Sequence, residues 1–169
     1  MSTTHAEIAH LDPAQKRALL EQLLRDKTQR PKLFSLSFAQ QRLWFLDKLQ
    51  PNSATYNVPT VLRLTGAIQV EPFKKALDSV VERHESLRTT FEGVDDSPAQ
   101  RINPPRSVNF TFVDLETLSP ADKRSECDRL ITAEIRKPFD LSRDLMVRST
   151  LLRLAAEEHI LILVTHHVA

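Results

Sequence analysis

The chain has 169 residues, enough for one domain that buries a core without disulfides or metals. Its net charge of +1 gives no electrostatic signature of nucleic acid or of an anionic membrane, and its 41% hydrophobic and 27% charged residues are typical of a globular protein. The single cysteine, Cys127, excludes an internal disulfide and a cysteine-rich zinc site, and is typical of a reducing compartment.

Residue counts exclude several nucleotide-binding, nucleophile and metal motifs. The two glycines, Gly66 and Gly93, stand too far apart for a dinucleotide loop, a Walker A loop or a GxSxG nucleophile elbow. The segment HESLR (84–88) has arginine where a zincin requires its second histidine. The first residues carry no secretory signal, and no apolar run reaches the roughly 18 residues that span a bilayer. We therefore expect a cytoplasmic protein without nucleic-acid or membrane partners.

The N-terminal segment predicts a helix followed by a linker. Asp12 and Gln15 have the spacing of a capping box, and leucines at helical spacing follow them. The polar segment RDKTQRPK (25–32) is predicted to be a linker. This prediction divides the chain into an N-terminal helix and linker, residues 1–32, and a lobe, residues 33–169.

A second helix is predicted after the linker. Ser37 and Gln40 have the spacing of another capping box at its start. The segment FAQQRLWFLDKL (38–49) has few polar residues, so we expect this helix to be buried on most sides. Trp44 and Phe45 are expected to pack in the core.

The rest of the chain alternates between strand and helix patterns. YNVPTVLRLTG (56–66) predicts a strand, and the helix that starts at Glu71 has one apolar face that reaches His84, which we expect to be buried. A helix capped by Ser119 is also predicted. The other predicted strands lie within residues 87–94, 99–104, 108–115, 145–154 and 159–167.

The last strand is apolar on both faces, which is typical of a central strand that is covered on each side. We therefore predict an α/β (α+β) two-layer sandwich with helices packed on a largely antiparallel mixed sheet. Arg148 lies on the strand before it. The sequence leaves open whether this arginine is a buried partner of a carboxylate or a solvated residue at a strand edge.

Two adjacent histidines, His166 and His167, follow the apolar run of the last strand. Because successive side chains on a strand point to opposite faces, the two rings are unsuited to binding one metal ion, and we predict no metal site. A histidine at this place suits proton transfer, since its ordinary pKa of roughly 6.5 lies near neutral pH. Spacing alone leaves open the alternative that both are core histidines with satisfied hydrogen bonds.

Four segments, in order, resemble the motifs of one enzyme family. They are SFAQQRLWFLDKLQP (37–51), RHESLRTTF (83–91), PFDLSRDLMVRSTLLRL (138–154) and VTHHVA (164–169). From about Leu11 to the end, the chain is similar to the opening part of the condensation domain of nonribosomal peptide synthetases. A motif of that family reads HHxxxDG, and the chain supplies HHVA. The resemblance identifies the chain as an N-terminal lobe that is cut inside this motif.

The resemblance implies a chloramphenicol-acetyltransferase-like fold of two lobes with the active site between them. Such domains join an aminoacyl or peptidyl group on one carrier protein to the amine of an aminoacyl group on the next. Both groups arrive as thioesters on phosphopantetheine arms. No cofactor is then bound directly, and the expected partners are the upstream and downstream carrier domains and the missing C-terminal lobe.

The same resemblance implies the site residues. His167 corresponds to the histidine that acts on the amine or on the tetrahedral intermediate, and His166 is its structural neighbour. The aspartate of the motif pairs with an arginine of the second segment, for which both Arg83 and Arg88 remain candidates. Without that aspartate and the facing lobe, the chain is expected to be inactive alone. Two alternatives stay open: a carrier-protein docking module without catalysis, and another acyltransferase of the same superfamily.

Overall fold

The computed structural model describes residues 12–29, 32–94 and 97–169, which fall into two compact units that divide between residues 31 and 32. The first unit contains helix α1, and the second contains the remaining helices and two sheets. In chain order, the second unit consists of β1 Lys32–Ser35, α2 Phe38–Leu49, β2 Asn57–Thr65, α3 Val70–Arg83, a 3₁₀ helix Glu85–Arg88, β3 Thr89–Val94, β4 Ser97–Ile102, β5 Asn109–Asp114, α4 Pro120–Arg136, β6 Val147–Ala155 and β7 Glu158–His166.

Helix α1 spans Pro13–Gln29 and begins at the predicted capping box. The backbone N–H of Gln15 donates to Asp12 Oδ1 at 2.8 Å, and the N–H of Asp12 donates to Gln15 Oε1 at 3.0 Å. The helix continues through most of the segment that was predicted to be a linker. The physical reason is that residues 25–29 contain neither glycine nor proline, so nothing in them ends a helix.

The two sheets explain where the last strand lies. One sheet has the antiparallel order β1-β4-β3, and the other has the order β2-β7-β6-β5. In the larger sheet β5 and β6 are parallel, with α4 as the crossover between them, and the other neighbouring pairs are antiparallel. Strand β7 is therefore central, and the predicted helices on a largely antiparallel mixed sheet are confirmed. Strand β1 was not predicted, because four residues are too few to show alternation.

The core has two clusters on opposite faces of the larger sheet. Ile162 and Val164 belong to the same cluster as Cys127 of α4. Leu163, which stands between them in sequence, packs in a smaller cluster with Val81 of α3. Because neighbouring side chains on a strand alternate in direction, α4 and α3 cover opposite faces. The predicted burial of the last strand from both sides is confirmed.

Helix α2 begins as predicted but is less buried than predicted. Ser37 Oγ accepts from the Gln40 N–H at 3.3 Å, and Gln40 Oε1 accepts from the Ser37 N–H at 2.9 Å. The expectation of burial on most sides is wrong, since Phe38 is 92% exposed and Phe45 is 56% exposed. Trp44 packs against the larger core cluster. One side of the helix is therefore covered and another is open.

Helix α3 ends one residue before its apolar pattern does. It runs Val70–Arg83, and His84 has non-helical backbone angles, with φ −106° and ψ 98°. His84 is exposed, which corrects the expectation that it is buried on the apolar face. Because the helical geometry ends before His84, the apolar period of α3 does not determine the direction of its side chain.

The central position of β7 predicts a large effect of truncating one of its side chains. Ile162→Ala removes a side chain that is 0% exposed and should lower the free energy of unfolding by about 2–5 kcal/mol. Val61→Ala is the matched control, because Val61 lies opposite Ile162 on the edge strand β2 but is 42% exposed. Its effect should be about 1 kcal/mol or less. Urea unfolding followed by circular dichroism measures both, and equal effects would contradict this placement.

Candidate active site

The two histidines have different surroundings at the end of the central strand. Strand β7 ends at His166, which is 5% exposed, whereas His167 lies in the turn that follows and is exposed. The N–H of His167 donates to the carbonyl of Tyr56 at 3.0 Å, which connects this turn to the start of β2. The strand thus places one ring inside the domain and presents the other at the surface.

His166 is held between two aromatic rings and is uncharged. Its ring centre lies 6.4 Å from that of Tyr56 and 5.7 Å from that of Phe139, both in edge-to-face geometry. Its Nδ1 accepts a hydrogen bond from the Val168 N–H at 3.3 Å, which requires an unprotonated Nδ1. Burial, aided by neighbouring positive charges, lowers the pKa of His166 to about 4. The ring is therefore neutral at pH 7.

Backbone hydrogen bonds join three of the four segments that carry the resemblance. The N–H of Met146 donates to the carbonyl of Leu87 at 2.8 Å, and the carbonyl of Met146 accepts from the N–H of His166 at 3.1 Å. The N–H of Phe91 also donates to the carbonyl of Leu141 at 2.8 Å. The second, third and fourth segments therefore meet next to the buried histidine.

The two candidate arginines of the second segment make different contacts. Arg88 is half-buried, its guanidinium donates to the carbonyl of Asn103, and it lies 3.5 Å from a carboxylate oxygen of Glu85. It connects the 3₁₀ helix to the end of β4. Arg83 is exposed and makes no hydrogen bond or ion pair within the described residues. In that same part of the chain, neither guanidinium makes a hydrogen bond or a cation–π contact with the histidine pair.

A third arginine, which the sequence did not assign, is buried beside the site. Arg148 is 5% exposed, and its Nε lies 3.3 Å from a carboxylate oxygen of Glu134. Its guanidinium carbon lies 4.0 Å from the centre of the Phe139 ring. Of the two possibilities that the sequence left open, the structure shows the buried partner of a carboxylate. The feature of the sequence that indicates this burial is a charged residue at an inward-facing position of an apolar strand.

Two adjoining cavities border Phe139. In the smaller, about 200 Å³, Arg106, Lys137 and Arg148 supply positive charge against one carboxylate, that of Asp144. The larger, about 480 Å³, is lined by three acidic and three basic side chains. Among the described residues, no group of three histidine, cysteine or carboxylate side chains is placed to hold a metal ion. None of the helices described is both long and apolar enough to cross a membrane.

Comparison with known proteins shows the family. The model of the condensation domain matches residues 31–169, and the chain belongs to the condensation-domain family. The chain is 40% identical over 143 residues to a linear gramicidin synthase from Brevibacillus parabrevis, a match that covers 85% of this chain and 3% of that protein. It is 43% identical over 143 residues to an isonitrile lipopeptide synthase of Mycobacterium tuberculosis, covering 83% of this chain and 6% of that protein.

Solved structures show the same fold. The starter condensation domain of rhizomide synthetase RzmA matches with a TM-score of 0.73 and 27% identity, over 81% of this chain and 33% of that chain. The first condensation domain of the calcium-dependent antibiotic synthetase matches with a TM-score of 0.70 at 22% identity, a likeness of fold alone. The predicted resemblance and the chloramphenicol-acetyltransferase-like fold are confirmed. The chain spans about a third of the solved RzmA domain and a few per cent of the multidomain synthetases.

The low pKa of His166 predicts that acid destabilises the fold. The folded state binds the proton near pH 4, whereas the unfolded chain binds it near its ordinary pKa of roughly 6.5. The unfolded state therefore binds more protons between these values, and the contribution of His166 to stability is complete above about pH 6.5 and is lost as the pH falls towards about 4. The loss should be at most about 3 kcal/mol.

Urea unfolding at successive pH values, together with an NMR titration of the imidazole rings, measures this effect. His166→Gln should remove this part of the pH dependence, and His167→Gln should reduce it only in part, because burial is a larger cause of the lowered pKa of His166 than His167 is. A titration midpoint for His166 near its ordinary value would show that the ring is not buried as described.

Proposed function

We propose that the chain is the N-terminal lobe of a nonribosomal peptide synthetase condensation domain that forms an amide bond between two carrier-bound thioesters. The observation that carries the proposal is the exposed His167, presented by the end of a central strand in a chain of this family. The names of its multidomain relatives, which include a linear gramicidin synthase, support a peptide product.

The proposed reaction joins an amine to a thioester carbonyl. The amine nitrogen attacks the carbonyl carbon, a C–N bond forms, the C–S bond breaks, and the proton lost by nitrogen ends on the leaving thiolate. Because a thioester is already activated, the protein need not supply a covalent nucleophile. Orientation of two substrates is worth about 7–11 kcal/mol of the barrier. A group beside the nitrogen that steers its proton or stabilises its charge adds to this, and His167 has that role.

The other site residues support His167. The neutral His166 accepts the Val168 N–H and so holds the turn in which His167 lies. Arg88 anchors the second segment through the Asn103 carbonyl. For the carboxylate of the HHxxxDG motif, both arginines remain candidates: Arg83 is exposed, and Arg88 Nε is buried without a hydrogen-bond partner in the described residues.

The partners follow from the proposed reaction. They are the carrier-protein domains upstream and downstream, whose phosphopantetheine arms bring the two thioesters, and the rest of the condensation domain. In this proposal the lobe binds no cofactor directly, because the arms belong to the substrates. The multidomain organisation of the relatives supports carrier proteins as partners.

Loss of the exposed histidine should remove most of the transfer. In a protein that joins this chain to the remaining part of a condensation domain, His167→Ala should lower transfer between preloaded carrier proteins by about 10²–10⁴-fold, the range for a lost general acid or base. His166→Ala should lower soluble yield, because it removes a buried ring, and should lower turnover less than His167→Ala does, because it removes only the acceptor that holds the turn. Mass spectrometry of the carrier-bound product measures transfer, with variants matched by circular dichroism.

Other outcomes distinguish the alternatives. Full turnover of His167→Ala, with none for a folded His166→Ala, would reverse the assignment of the pair. A docking module would bind the carriers in every variant and transfer nothing even with both histidines intact. Transfer from coenzyme A thioesters in place of loaded carriers would favour another acyltransferase of the superfamily.

The 169-residue chain alone should be inactive and should self-associate. Large apolar side chains are exposed on α2 and on the edge strand β2. The solved RzmA domain is about three times as long as the part matched, which supports the proposal that the rest of the domain covers these side chains. Bare apolar surface and an unpaired strand edge both drive association. The side chains are Phe38, Phe45 and Leu49 on α2 and Val58, Val61 and Leu62 on β2.

Sedimentation velocity and binding of a hydrophobic dye measure the association. Phe38→Asp combined with Phe45→Asp should lower both signals without lowering Tm, since both side chains are exposed. Val80→Asp is the control, because Val80 is 45% exposed on α3, on the opposite side of the sheet. A chain that sediments as a monomer at every concentration and binds no dye would contradict the proposal that the rest of the domain covers these side chains.

A further inference from the structure

We propose that Arg148 and Asn57 are positioning residues for the histidine pair: they close the C-terminal end of helix α4 and hold Phe139 against His166. We refer to Arg148, Asn57 and Phe139 as the clasp. The inference rests on the proposed function for the role of His167, the group that the clasp positions.

The clasp begins at a helix end whose carbonyls need partners. The last four carbonyls of an α-helix have no partner within it. At the end of α4, Asn57 Nδ2 donates to the carbonyls of Ile135 at 2.7 Å and Lys137 at 2.9 Å. Arg148 Nη2 donates to the carbonyl of Glu134 at 2.8 Å and also to that of Lys137. A cation at this end of a helix is also favoured by the helix dipole.

Burial of its charge fixes Arg148 in one geometry. Its side chain is 6% exposed, and the nearby carboxylate of Glu134 partly balances the charge. The guanidinium also lies over the Phe139 ring at 4.0 Å, which is a cation–π contact. An arginine that moved away from these groups would leave a buried charge uncompensated. Because the guanidinium is planar, it also determines how the ring beneath it is oriented, which a lysine cannot do.

The strand register places the clasp on the same face as the buried histidine. Asn57 lies opposite His166 in the pairing of β2 with β7, and Arg148 lies opposite Val164 in the pairing of β6 with β7. Residues two apart on a strand share a face, so these side chains all point towards α4. On that face the Phe139 ring meets the His166 ring at 5.7 Å between centres.

His166 completes the connection to the exposed histidine. Its Nδ1 accepts the Val168 N–H, and His167 is the residue between them. The positive charge of Arg148 disfavours a proton on His166 and so preserves this acceptor. A positive charge on His167 acts in the same direction. Displacement of Phe139 would remove one of the two rings that hold His166 and would weaken the Val168 hydrogen bond that orders the turn.

The first test needs no enzymatic activity. NMR of the 169-residue chain, with Phe38→Asp and Phe45→Asp in every variant to lower its self-association, follows the Phe139 ring, the titration of His166 and the hydrogen exchange of the Val168 N–H. Arg148→Lys keeps the charge but loses the planar guanidinium, so it should shift the Phe139 signals and speed exchange at Val168. Arg148→Met also removes the charge and should raise the titration midpoint of His166 above that in Arg148→Lys.

Arg153 supplies a matched control on the same strand. It also lies over an aromatic ring, Phe112 at 5.1 Å, and pairs with a carboxylate of Asp114 at 3.2 Å. Its side chain is 30% exposed and it lies opposite His159 rather than near the site. Arg153→Met should therefore leave all three NMR measurements unchanged.

The second test separates turnover from binding in the completed domain. Arg148→Lys and Phe139→Leu should lower kcat by about 10–100-fold with little change in KM, because misplacement of a reacting group slows the reaction more than it weakens binding. Arg153→Met should keep both values. If Arg148→Met does not fold, Phe139→Leu still tests the clasp, because it removes the ring and keeps an apolar side chain.

The two tests fail in distinguishable ways. Folded Arg148 and Phe139 variants with wild-type His166 titration and Val168 exchange would overturn the clasp, whatever the activity. The clasp would be overturned equally if Arg153→Met changed those measurements as much as Arg148→Met. An inactive wild-type completed domain would contradict the proposed function alone, since the NMR result does not depend on activity.

Discussion

The burial of β7 on both faces is the constraint on which the rest of the structure depends. A strand that is apolar on each side is stable only in the middle of a sheet with a cover on both faces. Strands β2 and β6 supply the neighbours, and α3 and α4 supply the covers. The crossover through α4 also makes β5 and β6 parallel, so the one parallel pair among the described strands follows from this cover. The end of β7 is thereby fixed, and with it the histidine pair.

One step of register gives two chemically identical side chains different properties. His166 is the last paired residue of β7 and points into the core, where burial keeps it neutral. His167 is the first residue after the strand and is exposed. A slip of one residue would exchange the two environments and would turn every apolar side chain of the strand to the wrong face. The same hydrophobic pattern that stabilises the sheet therefore also decides which histidine is buried and which is exposed.

The sequence predicts those features that depend on neighbours within a few residues, such as the capping box of Ser37 and Gln40 and the alternation along β7. The exposure of Phe38 was not predictable, because composition does not say which parts of the molecule cover a helix. His84 was misplaced because an apolar period shows where a face continues, not where the backbone stops being helical. The role of Arg148 lay beyond sequence reasoning, since contacts between a side chain and distant backbone carbonyls leave no periodic signal.

Backbone contacts explain how the fold can be kept through large changes in sequence. The hydrogen bonds that link Leu87, Met146 and His166 use N–H and C=O groups, which every non-proline residue possesses. They do not depend on side-chain identity, so the sheet and the place of the histidine pair can persist where few side chains are shared. This agrees with a TM-score of 0.73 at 27% identity to the RzmA domain. Where the backbone ladder ends, side chains are needed to orient the histidine pair: those of the proposed clasp hold the neutral His166, which positions His167.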